Sequence, residues 1–181
     1  MPIVETERLI LRPVSVDDAS DMFEYISDKE VCKYMFQNYH EQKEVYRFIK
    51  TYYLAYRQRC VPQSYAIVFK ENKKMIGTCD FNQIEDDVGE IGFVLNKKYW
   101  NQGLMSEAIV KLLEVGFYHL NLRRIEVLHD VRNIACEKVV KKCGFQYEGC
   151  MREKMILQNS PCDIKMYAIL KNDYMEMEDV E

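Results

Sequence analysis

The chain has 181 residues, 48% of them hydrophobic, with only 7 glycines and 4 prolines, which predicts one domain over 1–181 with a sizeable core and few linkers. A formal net charge of −4 sets it apart from nucleic-acid binders, which carry a basic face. No apolar run reaches a membrane span, the opening Met-Pro-Ile-Val-Glu-Thr-Glu-Arg has no signal-peptide core, and seven cysteines without a CxxC pair predict reduced thiols in the cytoplasm and no zinc site.

Arg8–Val14 predicts a first strand. Ser15-Val-Asp-Asp18 has the acidic-capped signature of a helix start, and that helix runs to about Ser27 with Ala19, Met22, Phe23 and Ile26 on one face. A second helix covers about Glu41 to Arg59, where Val45, Phe48, Ile49, Tyr52 and Tyr56 recur at helical spacing. Ser64–Phe69 and Met75–Ile84 form a hairpin around Glu71-Asn72-Lys73, and Glu90–Leu95 is the next strand. The third helix starts at Leu104 and reaches about His119, with Met105, Ala108, Ile109, Leu112 and Gly116 inward. Arg124–His129 is a strand, Ile134–Cys143 a short helix, and Phe145–Met151, Lys154–Leu157 and Ile164–Leu170 are strands. The order predicts an α/β fold, a mixed sheet with helices on its faces. The core runs from about 6 to 170, and Met175–Glu181 is a frayed or solvated acidic tail.

Between the strand ending at Leu95 and the third helix stands Trp100-Asn-Gln-Gly-Leu-Met-Ser-Glu-Ala108. A glycine turn from strand to helix points several unpaired N–H groups at one spot, to which the helix dipole adds roughly +0.5 of a charge. That geometry binds phosphate, although such turns also occur for packing alone.

These residues carry a resemblance. Glu90-Ile-Gly-Phe-Val-Leu95, Tyr99–Ala108, Arg124-Ile-Glu-Val127, Asn133 and Lys142-Cys-Gly-Phe145 stand in an order and spacing that resemble the GNAT acetyltransferases, and within them the RimJ/RimL-like branch, whose members acetylate protein N-terminal α-amines and other small amines. Thr6-Glu-Arg-Leu-Ile-Leu-Arg-Pro13, Glu148-Gly-Cys-Met-Arg152 and Asp163 with Tyr167 are similar to that branch too. The resemblance implies a mostly antiparallel sheet in which Glu90–Leu95 splays from a parallel neighbour, Arg124–His129, with helices on both faces. It implies acetyl-CoA as cofactor: Phe93, Val94 and Leu95 along the pantetheine arm, Gln102, Gly103, Leu104, Met105 and Ser106 around the pyrophosphate, and Asn133 bonding the arm or the adjoining backbone, beside the simpler role of helix N-cap. Family habit also implies a homodimer. Trp100 and Met105 depart from the superfamily pattern; the phosphate site survives Met105 where that side chain turns into the core with Ala108, Ile109 and Leu112.

Acyl transfer from a thioester to an amine needs a base for the ammonium and an answer for the leaving thiolate. Glu90 is the candidate base, with a pKa raised by burial, against the plainer alternative of an exposed strand-end carboxylate beside Glu85-Asp86-Asp87. That acidic loop is a solvated turn or an amine-attracting rim. Seven residues after Asn133, where the superfamily often has an acidic Tyr, stands Val140; three after it, where the branch has Ser, stands Cys136, a thiol donor or a small buried filler. His129 is assigned a structural role, and no partner arrangement points to a covalent cysteine route. The segment Tyr34–Tyr39 with Tyr52, Tyr53 and Tyr56 makes an aromatic acceptor wall, compatible with a peptide N-terminus, an amino acid, a polyamine or an amine-bearing drug. The expected activity is acetyl-CoA-dependent N-acetylation of a primary amine by direct attack in a ternary complex. A CoA-binding sensor or scaffold without chemistry is the competing expectation.

Overall fold

The computed structural model describes residues 2–35, 39–56, 58 and 60–178. Eight strands form one sheet in the order β1-β2-β3-β4-β5-β6-β8-β7. They are β1 (Val4–Glu5), β2 (Leu9–Pro13), β3 (Tyr65–Phe69), β4 (Met75–Glu85), β5 (Val88–Leu95), β6 (Arg124–Asp130), β7 (Gln146–Leu157) and β8 (Ser160–Leu170). Every neighbouring pair is antiparallel except β5 with β6, which is parallel. The helices are α1 (Ala19–Ile26), α2 (Gln42–Phe48), α3 (Leu104–Glu114), α4 (Ile134–Lys142) and α5 (Lys171–Glu178).

Alternation along the strands sorts apolar side chains into two layers. Tyr65, Ile67, Cys79, Phe81, Ile91 and Leu95 join Leu104, Met105, Ala108, Ile109 and Leu112 of α3 in the main core. Ala66, Met75 and Val94 turn to the opposite face, where Met22 and Ile26 of α1 and Val45 of α2 cover them. Helices therefore lie on both faces of a mixed, mostly antiparallel sheet, as the resemblance implied. Ser15 and Asp18 form a reciprocal capping box ahead of α1, in line with the acidic-capped start.

Several boundaries differ from the sequence expectations for local reasons. The second helix is α-helical only to Phe48, then widens into a π-helical turn over Ile49–Tyr53 closed by Leu54 N–H donating to the Ile49 carbonyl at 2.9 Å. The two strands expected over 145–157 are one, β7, because positive φ at Glu153 (49°) breaks the alternation without breaking the strand. β5 begins at Val88, since Asp86 and Asp87 take positive φ values of 49° and 60° and close a two-residue hairpin. At the acidic end α5 runs to Glu178 and buries Tyr174 against Phe117 at a centroid distance of 5.1 Å, while Met175, Glu176 and Met177 stay exposed, so this part of the tail is solvated and helical and not frayed. A short β1 ahead of the first strand had no sequence signal.

Phe81 is 1% exposed at the centre of the α3-side core. Phe81→Ala is expected to cost about 3–5 kcal/mol in urea unfolding with an unchanged m-value; a loss below about 1 kcal/mol would show the core centred elsewhere.

Candidate active site

β5 and β6 pair only at Val88 with Arg124, Gly89 with Ile125 and Glu90 with Glu126. Beyond that point β5 stays with β4 as far as Leu95, while β6 stays with β8 as far as Asp130, so the two parallel strands fork. The edge of β5 from Ile91 to Leu95 faces the gap. A cavity of about 580 Å3 lies toward the start of α3 and α4, and a second of about 690 Å3 lies toward α2. Val31, Tyr34, Phe93, Val94, Asn133 and Cys136 line both, so the cavities meet at the fork.

The first cavity ends at the turn before α3. Gly103 has φ 77°, a left-handed conformation that glycine adopts without strain, and no side chain caps the helix behind it. Asn101 is also left-handed at φ 59°. The Trp100 indole N–H donates to the Leu95 carbonyl at 2.8 Å, tying the turn to the end of β5. Glu107 accepts from the Thr6 hydroxyl at 2.5 Å and from the Arg8 backbone N–H and Nε at 2.9 and 2.7 Å, while Arg8 Nη1 donates to the Gln102 carbonyl at 3.0 Å. A Cβ on Gly103 would lie 3.6 Å from Arg8 Nη2 and 3.7 Å from Lys142 Nζ, so two cations flank this turn. Lys33, Arg132 and Lys138 add positive charge to the same cavity, against one carboxylate, Glu30. Leu104, Met105 and Ser106 are buried, Met105 within the main core, and they offer the cavity main-chain N–H groups more than side chains.

The second cavity is aromatic and acidic. Tyr34, Tyr39, Phe48, Tyr52 and Tyr53 line it beside Asp80 and Glu90. Phe36, Gln37 and Asn38 of the expected aromatic segment lie outside the described residues. Burial raises the pKa of Glu90, the nearby Glu126 charge raises it further, and Asn82 Nδ2, which donates to Glu90 Oε1 at 3.4 Å, works against both. Glu90 is the third residue of β5 and half-buried, not an exposed strand end.

At the shared wall, Asn133 Oδ1 accepts from the Cys136 backbone N–H at 3.1 Å and caps α4, which leaves Nδ2 as its donor toward a ligand. Burial pushes the Cys136 thiol up to about 12, so it stays protonated. His129 stacks on Tyr167 at 5.6 Å, and its Nδ1 lies 2.8 Å from the Asp130 carbonyl, a contact that puts the proton on Nδ1. Burial lowers the pKa of this imidazole.

The fork thus brings together Glu90, Phe93, Val94, Asn133 and Cys136, with Leu95 and Gly103–Ser106 along the basic cavity. Gln102 is exposed and holds the turn through its carbonyl. Arg8 and Lys142 stand in segments that carry the resemblance, but their place at this cavity, like that of Lys138 and Arg132, was not read from the sequence, because no local motif links positions that only folding makes adjacent; the spacing of Lys138 and Lys142 on α4 was an available signal. Among the described residues no group of acidic, histidine or cysteine side chains is arranged to hold a metal, and no helix is long and apolar enough to cross a membrane.

A forked parallel pair beside an uncapped glycine turn defines an acyl-CoA-binding acetyltransferase architecture, and the comparisons agree. Residues 8–146 match the acetyltransferase (GNAT) domain family, and the chain belongs to it. It is 34% identical over 180 residues to an uncharacterized N-acetyltransferase, p20, of Bacillus licheniformis, covering 96% of this chain and 99% of that one. The crystal structure of a GNAT-family acetyltransferase from Bacillus anthracis is 26% identical, with a TM-score of 0.85 over 94% of this chain and 99% of its own. RimL, a ribosomal L7/L12 α-N-protein acetyltransferase solved in complex with coenzyme A, shares the fold at 23% identity, with a TM-score of 0.81 over 93% and 97% of the two chains. The protein is an acetyltransferase of this family.

A carboxyl group with a raised folded pKa stabilises the fold below its unfolded value and loses that contribution as pH rises through the raised one. Glu90→Gln is therefore expected to raise the thermal midpoint at pH 8 by roughly 2 °C, with the gain shrinking as the pH is lowered toward about 4. A midpoint lowered at pH 8 would show that the carboxylate stabilises the fold.

Proposed function

We propose that the protein is an acetyl-CoA-dependent N-acetyltransferase acting on a primary amine, a protein N-terminal α-amine or a small-molecule amine, by direct attack with both substrates bound. The observation that carries this is the fork itself, where a basic cavity and an aromatic, carboxylate-bearing cavity share one wall. Acetyl-CoA supplies the thioester whose carbonyl carbon the amine attacks.

The residues of the basic cavity fit that substrate. The left-handed Gly103 and the uncapped start of α3, flanked by the cations of Arg8 and Lys142, suit a diphosphate. The open edge of β5 at Phe93, Val94 and Leu95 suits an extended, amide-bearing arm, as a sheet edge takes up a peptide. Gln102 braces the turn, the main-chain N–H groups of Leu104, Met105 and Ser106 face the anion, and Asn133 Nδ2 donates to the arm. The fold neighbour solved with coenzyme A supports the same choice.

Glu90 is the base. An alkylammonium must lose a proton before it attacks, and a half-buried carboxylate with a raised pKa holds that proton more readily near neutral pH than an ordinary one. Cys136 faces both cavities with its thiol protonated. A protonated thiol donates to a departing sulfur and is a poor nucleophile, which favours direct attack over an acetylated cysteine.

Thiol release from acetyl-CoA against an amine panel (a serine-starting dodecapeptide, spermidine, an aminoglycoside) is expected in the wild type, with Glu90→Gln at least about 100-fold slower at unchanged acetyl-CoA affinity. Tight CoA binding without turnover on any amine would instead favour a sensor. Gly103→Glu, which sets a carboxylate in the anion cradle, is expected to abolish calorimetric binding of acetyl-CoA while the protein stays folded, its melting temperature lowered by about 2–5 °C because a non-glycine residue is strained at φ 77°. Retained affinity would put the pyrophosphate elsewhere.

A further inference from the structure

β4 carries one residue more than β5 opposite the fork. Phe81 pairs with Ile91 and Gln83 with Glu90, so Asn82 is the bulged residue between them. A bulge re-aims a side chain out of the regular alternation. The Asn82 amide is held at both ends: Nδ2 donates to Glu90 Oε1 at 3.4 Å, and Oδ1 accepts from the Tyr52 hydroxyl at 3.3 Å. A carboxylate only accepts and the phenol donates here, so these partners fix which end of the amide faces Glu90. The contact to Glu90 is long, as catalytic hydrogen bonds often are before substrate arrives.

Gly92 makes the arrangement possible. A Cβ at this position would lie 2.7 Å from Asn82 Nδ2 and 3.0 Å from Oδ1, too close for both to remain. The constraint at Gly92 is space, since its backbone is not left-handed. Tyr52, Asn82, Glu90 and Gly92 all line the acceptor cavity.

We propose that Asn82 is the positioning residue for Glu90: the bulge, the Tyr52 hydroxyl and the glycine opposite together hold one amide against the carboxylate that receives the amine's proton. The proposal rests on Glu90 being the base. Asn82 does not touch the reacting atoms; it fixes the carboxylate's direction and stabilises its ionised form. The other titratable groups around Glu90 are Glu126 on β6 and, lining the cavity, Asp80 on β4, Tyr52 and Tyr53 from the π turn, His129 and Asp130 on β6, Cys136 on α4, Cys162 on β8, and Tyr34 and Tyr39 ahead of α2.

The test measures thiol release from acetyl-CoA across pH, with the best acceptor of the amine panel or with water as nucleophile, in Asn82→Ala, Gly92→Ala, the double variant and Glu90→Gln. Asn82→Ala is expected to lower kcat roughly tenfold at unchanged KM for acetyl-CoA. The acid limb should move up by about half a pH unit, because a donor to the carboxylate is lost. Gly92→Ala should do the same in the wild type by displacing the amide, yet add nothing in the Asn82→Ala background. Titration of the Glu90 side-chain carbon by 13C NMR should show the same upward shift without any acceptor. If Glu90→Gln loses the rate while Asn82→Ala keeps the wild-type rate, acid limb and carbon titration, the positioning role is overturned. If Glu90→Gln keeps the wild-type rate, the base assignment itself fails, and the positioning role fails with it.

Discussion

The site depends on where one parallel ladder stops. After Glu90 and Glu126, β5 and β6 each remain bonded to their outer neighbours and no longer to each other. Two carboxylates side by side at the last pair weaken the join at the point where it ends, since like charges directly opposite on a sheet repel. Arg124 offsets the repulsion on one side, with Nε 3.0 Å from Glu126 and a two-point contact to Glu148. Among the described residues Glu90 has the weaker Asn82 amide from the neighbouring strand as its partner, and burial, helped by the Glu126 charge, raises its proton affinity. The Glu90–Glu126 pairing thus bears on both the end of the ladder and, in smaller part than burial, the proton affinity of the candidate base.

Charge differs across the fork. The cavity by α3 and α4 carries Lys33, Arg132, Lys138 and Lys142, whereas the cavity by α2 carries Asp80, Glu90 and Asp130. A polyanionic thioester and a cationic amine would each meet the complementary wall. The glycine turn before α3 is itself held from afar. Arg8, just ahead of β2, ties Gln102 and Glu107 together, so the segment leading into β2 acts as a brace for α3. The Trp100 bond to the end of β5 couples that brace to the open strand edge.

Much of this was legible in the sequence because it is periodic or local. Strand alternation gave the layers, the glycine turn gave the start of α3, and five ordered segments gave the family. Misses arose where backbone geometry overrode pattern. Positive φ at Asp86, Asp87 and Glu153 moved strand limits, and a π turn shortened the second helix. Burial of Tyr174 anchors a helix that runs on into the solvated acidic end. In the site, Glu90, Asn133 and Cys136 stand in family motifs and could be named beforehand. The parts played by Arg8, Lys142 and Asn82 could not, since the first two reach the turn at Gly103 from distant stretches of the chain and the third is a single inserted residue, pairings that local pattern does not encode.

The central claim is that the open edge of β5 and the start of α3 together hold acetyl-CoA. Amide hydrogen exchange with and without acetyl-CoA tests it most directly. The account predicts slowed exchange concentrated in two peptides, one covering Ile91–Leu95 and one covering Gly103–Ser106, with β1 and β7 unchanged. Saturating acetyl-CoA that leaves both peptides at their free rates would contradict it.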